Sequence, residues 1–232
     1  MQKMYLILMT MFFWGCHTAL NTQNNDQWAH LSHYAKANAE WRNNNRERPT
    51  AVFIGNSITQ DWYDKRPDFF TLNNYAGRGI GGQTTPQFLS RFRADVIALN
   101  PQIVVINGGI NDIAENSGIY DPDFTFGNIQ SMAELAHANG ITVILTSVLP
   151  AGNIPWRTEI ANVPEKIQTL NANIQNYVVN KGFTYVDYYT SMVDTQKAMA
   201  ALYTTDGVHV TDAGYQVMET IVKAAIDKLL KK

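Results

Sequence analysis

Five short apolar runs, separated by longer segments with a helical pattern, constrain the fold of this chain most strongly. In order, the runs are TAVFIGN, LNNYA, IVVINGG, TVILTSVLP and FTYVDYY, and each is short enough for one buried strand. Between them lie TPQFLSRFRADVIAL, FGNIQSMAELAHANG and VPEKIQTLNANIQNYVVNKG, in which apolar residues recur every three or four positions. Because strands that alternate with helices form a parallel sheet covered by helices, the sequence predicts an α/β fold.

Several helix boundaries are also predicted. The segment QWAHLSHYAKANAEWRNN predicts an amphipathic first helix with these apolar or aromatic positions: Trp28, Leu31, Tyr34, Ala37 and Trp41. Two internal helices are expected to stop at Gly140 and Gly182, where a positive φ favours glycine. The last helix is expected to begin at Thr211, a good N-cap, and to carry one apolar face: Val217, Ile221, Ala225 and Leu229.

Composition indicates one ordinary globular domain. The chain has 232 residues, of which 45% are hydrophobic and 16% charged, with a formal net charge of -2. This length and composition allow one substantial core. No block of Lys and Arg interrupts the sequence, so we expect no nucleic-acid partner.

The first residues read as an export signal. Lys3 is followed by MYLILMTMFFWGC, an apolar run of signal-peptide length that is short for a membrane span. The run ends at Cys16 and resembles a bacterial lipoprotein signal, which implies that Cys16 is lipidated; a plain secretory signal is the alternative. We therefore predict a signal at residues 1–16, a polar tether at 17–26, a domain at 27–232, and a periplasmic or cell-surface location. Cys16 is the only cysteine, so no internal disulfide can form.

Candidate catalytic residues follow the predicted strands. In open parallel sheets, ligands bind beyond the carboxyl ends of the strands. Ser57 ends the first strand and is a candidate nucleophile, although serine at this place also serves as a helix N-cap. His209 lies three residues after Asp206 in a glycine-containing loop, where the carboxylate can reach one imidazole nitrogen while the other faces Ser57. A turn capped by Asp206 is the structural alternative.

Ester hydrolysis also needs hydrogen-bond donors for the negative charge that develops on the substrate oxygen. Gly82 can offer a backbone N–H, Asn111 a side-chain amide, and Ser57 its own N–H. The alternative explanation is that the glycine permits a turn and that the Asn-Asp pair caps a helix.

Four blocks in order, FIGNSIT, GRGIGGQTT, VINGGIND and DGVHVTDAGY, resemble the GDSL-type esterase and lipase superfamily, also called SGNH hydrolases. The resemblance covers residues 50–215. It implies Ser57, Asp206 and His209 as the catalytic triad, and Ser57, Gly82 and Asn111 as the oxyanion hole. It also implies a flavodoxin-like three-layer α/β/α sandwich with a five-stranded parallel sheet, and ester hydrolysis without a metal or other cofactor. Asn56 departs from the family pattern, in which aspartate usually precedes the serine.

Four alternatives compete with this interpretation: a dinucleotide-binding protein, an α/β-hydrolase, a metal site and a catalytically silent glycan-binding protein. GRGIGG satisfies the G-x-G-x-x-G pattern of dinucleotide-binding proteins, but Asp95, the nearest candidate for the required acidic residue, lies inside a predicted helix. An α/β-hydrolase would need a glycine where Thr59 stands. His30 and His33 are three residues apart on the predicted first helix, but no obvious partner completes a metal site. A catalytically silent glycan-binding protein stays open.

The substrate is predicted less directly, because loops determine specificity. Trp62 follows the Ser57 turn, while Trp156 and Arg157 lie in the loop after the fourth strand, so these residues are candidate substrate contacts. An indole ring can stack on a sugar, although tryptophans are also often mostly buried. With no long lid-like apolar insertion, the sequence favours short acyl groups, most simply acetyl groups on a carbohydrate. A lipase or lysophospholipase is the alternative.

Overall fold

A parallel sheet of five strands in the order β2-β1-β3-β4-β5 forms the centre of the protein. The computed structural model describes residues 28–43 and 47–231. Its strands are β1 (Ala51–Gly55), β2 (Tyr75–Gly79), β3 (Ile103–Ile106), β4 (Thr142–Thr146) and β5 (Thr184–Val186). All four pairings in the sheet are parallel. Because the chain runs outward in both directions from β1, the strand order reverses between β1 and β3.

Helices cover the sheet. They are α1 (Ala35–Asn43), α2 (Ser57–Lys65), α3 (Pro67–Thr71), α4 (Thr85–Asp95), α5 (Ile110–Ile113), α6 (Pro122–Ala138), α7 (Val163–Lys181), α8 (Tyr189–Met192) and α9 (Asp212–Leu230). Single 3₁₀ turns lie at Ile97–Leu99 and Ala201–Tyr203. Helix α6 packs between α4 and α7, while α2 packs against α9 through Trp62 and Tyr215. The predicted α/β class, with one five-stranded parallel sheet flanked by helices, is confirmed.

Strand β2 lies further along the chain than the sequence predicted. The expected run LNNYA shares only Tyr75 and Ala76 with the observed strand, which continues through two glycines. A Cβ at Gly77 would lie 2.9 Å from the Tyr63 ring, and one at Gly79 would lie 2.1 Å from the Gln60 nitrogen. Glycine is required in this strand because α2 lies directly against its backbone.

The predicted helix ends agree with the structure, and the predicted face of the last helix packs against the core. Gly140 and Gly182 both have positive φ, and the Thr211 side chain accepts a hydrogen bond from the Gly214 N–H. On α9 the fully buried residues are Gly214, Tyr215, Met218, Val222 and Ile226, whereas the four predicted positions are only partly buried. The predicted positions therefore pack against the core, and the most deeply buried residues lie one position further along the helix.

The predicted first helix is shorter than expected. Helix α1 begins at Ala35, after a turn at residues 31–34, and His30 has a φ of +52°. Trp28 and Leu31 are exposed, whereas Asn38 is buried on the side of the helix that faces the domain. The predicted signal and tether, including Cys16, lie outside the described residues. In the described part of the chain, no helix combines the length and apolar character required to cross a bilayer.

Candidate active site

Ser57 stands at the carboxyl edge of the sheet because β1 ends in a tight turn into α2. Asn56 is the N-cap of α2, and its Oδ1 accepts a hydrogen bond from the Ile58 N–H at 3.0 Å. Before it, a Cβ at Gly55 would lie 2.9 Å from the Asn107 carbonyl oxygen and closer still to Thr59, so the turn is closely packed. This places Ser57 at the first position of the helix, with its side chain partly exposed.

Ser57, His209 and Asp206 form a hydrogen-bonded chain. The Ser57 Oγ lies 3.0 Å from the His209 Nε2, although the two residues are 152 positions apart. On the other side of the ring, the His209 Nδ1 lies 2.7 Å from the Asp206 Oδ2. With a proton on Nδ1, the ring donates to the carboxylate, and Nε2 can accept the serine proton. The geometry is therefore that of a nucleophile, a base and a carboxylate that orients the base.

The Asp206 carboxylate is held in its ionised form. Burial would raise the pKa of Asp206, but hydrogen bonds from the His209 N–H, the His209 ring and the Val208 N–H together lower this pKa below its ordinary value. The two backbone donors both reach Oδ1, at 2.8 Å from His209 and 2.9 Å from Val208. A stable carboxylate keeps its partner imidazole in one tautomer and one orientation.

The two candidate oxyanion donors, Gly82 and Asn111, are connected through Gln83, the residue that follows Gly82. The Asn111 Nδ2 donates to the Gln83 carbonyl at 3.0 Å, which leaves its second hydrogen available. Gly82 has a φ of +74°, and a Cβ there would meet nothing within 4 Å, so its backbone is open to an approaching ligand. Among residues 28–43 and 47–231, neither the Gly82 N–H nor the Ser57 N–H has an acceptor.

Trp156 borders the site, whereas Trp62 does not. The Trp156 ring centroid lies 5.7 Å from that of His209, and the residue is 41% exposed. Trp62 is only 2% exposed and stacks on Phe69 and Tyr215. The prediction of Trp62 as a substrate contact is therefore wrong: this face of α2 points into the core.

Arg157 supports the loop that carries Trp156. Its Nη1 donates to the Glu115 carbonyl at 3.1 Å, and its Nε pairs with Glu159 at 2.6 Å. The guanidinium thus ties the loop after β4 to the segment that follows Asn111. A role in direct substrate contact stays a prediction.

Asn116 was not singled out from the sequence. Its Nδ2 donates to the Gly82 carbonyl at 3.2 Å, and its Oδ1 accepts from the Trp156 Nε1 at 3.1 Å. It therefore connects the aromatic border of the site to one of the candidate oxyanion donors. Its position five residues after Asn111 was the available sequence signal.

The competing site types find no support in the geometry. Gly77 and Gly79 of the G-x-G-x-x-G pattern lie inside β2, and Asp95 is buried in an ion pair with Arg91. His30 and His33 are not on one helix, since a turn separates His30 from α1. Within the described ranges, no cluster of three or more His, Cys, Asp or Glu side chains is arranged to hold a metal ion.

Comparison with known proteins identifies the family. The sequence model of the GDSL-like Lipase/Acylhydrolase family matches residues 53–217, which contain all four motif blocks. The chain belongs to this family. No protein with a curated description matches it.

Two solved structures are similar to this GDSL-family protein over most of their length. A GDSL-like lipase from Bacteroides thetaiotaomicron is 52% identical, with a TM-score of 0.83, and the match covers 87% of this chain and 99% of that one. A putative acylhydrolase from Bacteroides fragilis is 53% identical, with a TM-score of 0.85, and covers 88% and 98%.

A more distant structure, an acetylxylan esterase from Geobacillus stearothermophilus, shares the fold with 18% identity and a TM-score of 0.63, over 78% of this chain and 96% of that one. The family match and the two Bacteroides structures place this protein among the carboxylic ester hydrolases.

Proposed function

We propose that this protein is a serine esterase that acts through an acyl-enzyme, with Ser57, His209 and Asp206 as its catalytic triad. The observation that carries the proposal is the continuous hydrogen-bonded chain from the Ser57 Oγ through His209 to Asp206. Each member lies where its function requires: a partly exposed hydroxyl, an imidazole nitrogen within reach of it, and a carboxylate fixed on the far side of the ring.

The reaction has two steps. His209 Nε2 takes the proton from Ser57 as Oγ attacks the ester carbonyl, and the imidazolium then protonates the departing alcohol. Water attacks the acyl-enzyme, gives its proton to His209, and the carboxylic acid leaves as the Ser57 hydroxyl re-forms. The Ser57 and Gly82 N–H groups and the free Asn111 amide hydrogen stabilise the oxyanion in both steps.

The first experiment measures hydrolysis of p-nitrophenyl acetate, butyrate and octanoate by the protein without residues 1–16, beside Ser57→Ala. We expect turnover of acetate above octanoate, and loss of turnover by a factor of at least about 10³ in Ser57→Ala. Equal rates for Ser57→Ala and wild type would contradict the assignment of the nucleophile. A preference for octanoate would favour a lipase or lysophospholipase, and no turnover would favour a silent glycan-binding protein.

We infer that the natural substrate is an acetylated carbohydrate. The exposed indole of Trp156 lies beside His209 and offers a flat surface on which a sugar ring can stack. The polar side chain of Asn116 lies next to it, within reach of sugar hydroxyls. The acetylxylan esterase that shares the fold is consistent with this substrate class.

The substrate proposal is tested by Trp156→Leu on acetylated xylo-oligosaccharides and on p-nitrophenyl acetate. Loss of stacking should raise KM for the oligosaccharide about fivefold, while kcat/KM for the small ester stays within about twofold of wild type, since an aromatic contact of this kind contributes about 0.5–1.5 kcal/mol. An equal effect on both substrates would show that Trp156 acts on His209 and not on the sugar.

We also propose that the protein is exported and anchored to a membrane through lipidated Cys16. The support is the sequence that precedes Cys16. Expression of the full chain in a bacterium grown with labelled palmitate should label wild type and place it in the membrane fraction. Cys16→Ser should be unlabelled and released. Equal labelling of both would contradict the assignment of Cys16.

A further inference from the structure

Gln83 lies at the junction of the two proposed oxyanion donors. It follows Gly82 in the chain, and its carbonyl accepts the hydrogen bond from the Asn111 Nδ2 at 3.0 Å. The residue is only 2% exposed. The positions of the Gly82 N–H and of the Asn111 amide therefore both depend on where the backbone of Gln83 lies.

The side chain of Gln83 is fixed at both of its polar ends. Its Oε1 accepts a hydrogen bond from the Arg91 Nε at 2.7 Å, and its Nε2 donates to the Ala29 carbonyl at 2.8 Å. Both contacts are buried, so a broken bond leaves a polar group without water. The Gln83 side chain thus anchors the loop that carries Gly82 to two buried partners.

Arg91 connects the Gln83 side chain to the strands that carry the other active-site residues. It is 0% exposed and forms an ion pair with Asp95 at 2.9 Å. Its Nη2 also donates to the Gly55 carbonyl at 3.0 Å and to the Arg78 carbonyl at 2.9 Å. These two carbonyls lie at the carboxyl ends of β1 and β2. Strand β1 leads to Ser57, and β2 leads to the turn that contains Gly82.

We propose that Gln83, oriented by Arg91, is a positioning residue that sets the Gly82 and Asn111 donors relative to Ser57. The inference rests on the proposed esterase function and extends it to residues that do not touch the substrate. The Arg91 guanidinium hydrogen-bonds to β1, to β2 and to Gln83, and so fixes their positions relative to one another. Its planar set of five donors allows these contacts at once. A flexible side chain at position 83 would let the donors drift from the oxyanion.

The test compares Gln83→Met with Gln87→Met on p-nitrophenyl acetate. Methionine has nearly the length of glutamine but cannot accept from Arg91. Gln87, on the same helix as Arg91, is the control: its Nε2 donates to the Trp28 carbonyl at 2.6 Å and its Oε1 accepts from the Thr84 N–H at 2.8 Å, and its side chain hydrogen-bonds to neither Arg91 nor Asn111. We expect kcat to fall about 10- to 100-fold in Gln83→Met, with KM changed less than about threefold, and both values near wild type in Gln87→Met.

A second measurement distinguishes positioning from a general loss of structure. A trifluoromethyl ketone adds to the serine and carries an oxyanion, so its inhibition constant should rise in Gln83→Met by the same factor by which kcat/KM falls. Thermal unfolding shows whether each variant is folded. If Gln83→Met does not fold, Arg91→Lys is tested in its place. Lysine keeps the positive charge but cannot contact Gln83, β1 and β2 at once, so we expect the same fall in kcat.

The inference is overturned when the folded variant keeps kcat within about twofold of wild type, or when Gln87→Met loses as much activity. A wild-type protein without esterase activity, or an active Ser57→Ala, overturns the proposed function and this inference together. An active wild type with an equally active Gln83→Met overturns the inference alone.

Discussion

Asp206 uses its two carboxylate oxygens for different tasks. Oδ1 accepts from two backbone N–H groups and holds the loop, while Oδ2 faces the His209 ring at 2.7 Å. An asparagine at this position can keep the first task, because its Oδ1 still accepts from the backbone. It fails at the second, because its NH₂ group then faces Nδ1 and favours the tautomer with the proton on Nε2.

Asp206→Asn should therefore leave the fold intact and lower kcat by about 10³- to 10⁴-fold, as expected when the base carries its proton on the wrong nitrogen. The measurement is kcat on p-nitrophenyl acetate, with circular dichroism as the structural control. A loss of less than about tenfold would show that Asp206 does not orient His209.

The lowered pKa of Asp206 also predicts how stability depends on pH. A carboxyl group whose pKa is lower in the folded state stabilises the fold above its ordinary pKa, and this contribution is lost as the pH falls through the folded-state pKa. The free energy of unfolding should thus fall more steeply below about pH 4 in wild type than in Asp206→Asn. Urea unfolding at pH 7 and pH 3 measures the difference; parallel curves would contradict it.

Single residues could be predicted where the deciding contacts are local. Asp206 and His209 are three residues apart, so their pairing can be inferred from sequence spacing. Trp62 was misplaced because its direction depends on how α2 is rotated on the sheet, which neighbouring letters do not determine. Gln83 and Arg91 were missed for a similar reason, since their partners come from separate strands and from the segment before α1.

Helix α2 shows how one element joins stability to function. Its N-cap, Asn56, lies immediately before Ser57, so the hydrogen bond from the Ile58 N–H to Asn56 fixes the start of the helix and the nucleophile together. Helix α6 has a comparable cap: Asp121 accepts from the Asp123 and Phe124 N–H groups at 3.0 Å. The two caps provide a matched pair for mutation.

Asn56→Ala and Asp121→Ala should each reduce the free energy of unfolding by about 1 kcal/mol, because each removes an N-cap. Only Asn56→Ala should also lower kcat, by roughly tenfold, since a small displacement of the nucleophile is enough. Denaturant unfolding and p-nitrophenyl acetate turnover measure both effects. If the two variants kept equal kcat, the cap would have no part in placing Ser57.

At the same scale, the alternation of apolar runs and helical segments predicted the order and type of the main elements but not all their boundaries. The predicted position of β2 was too early in the chain, because the observed strand YAGRG has only one large apolar residue. Its glycines are required by the contact with α2. On α9 the four predicted positions pack against the core, but the most deeply buried residues, among them Tyr215 and Met218, were not predicted. Long-range packing decided both positions.

Across the whole molecule, the last helix brings the two parts of the triad together. The Tyr215 hydroxyl of α9 donates to the Ile58 carbonyl of α2 at 2.9 Å. One turn further, Glu219 accepts from the Trp62 Nε1 at 3.1 Å and pairs with Arg66 at 2.6 Å. Since α2 begins at Ser57 and α9 follows His209, these contacts position the base relative to the nucleophile from opposite ends of the chain.

Trp62→Leu and Trp156→Leu make the same chemical change at two places: the contact between α2 and α9, and the border of the active site. Trp62 is buried between Phe69 and Tyr215, so its replacement should reduce the free energy of unfolding by about 3 kcal/mol, whereas the exposed Trp156 should change it by less than about 0.5 kcal/mol. KM for acetylated xylo-oligosaccharides should respond in the opposite way and rise only in Trp156→Leu. Denaturant unfolding and steady-state kinetics on the same preparations test both statements. A rise in KM for folded Trp62→Leu would show that Trp62 contacts the substrate. An unchanged free energy of unfolding would contradict its place in the contact between α2 and α9.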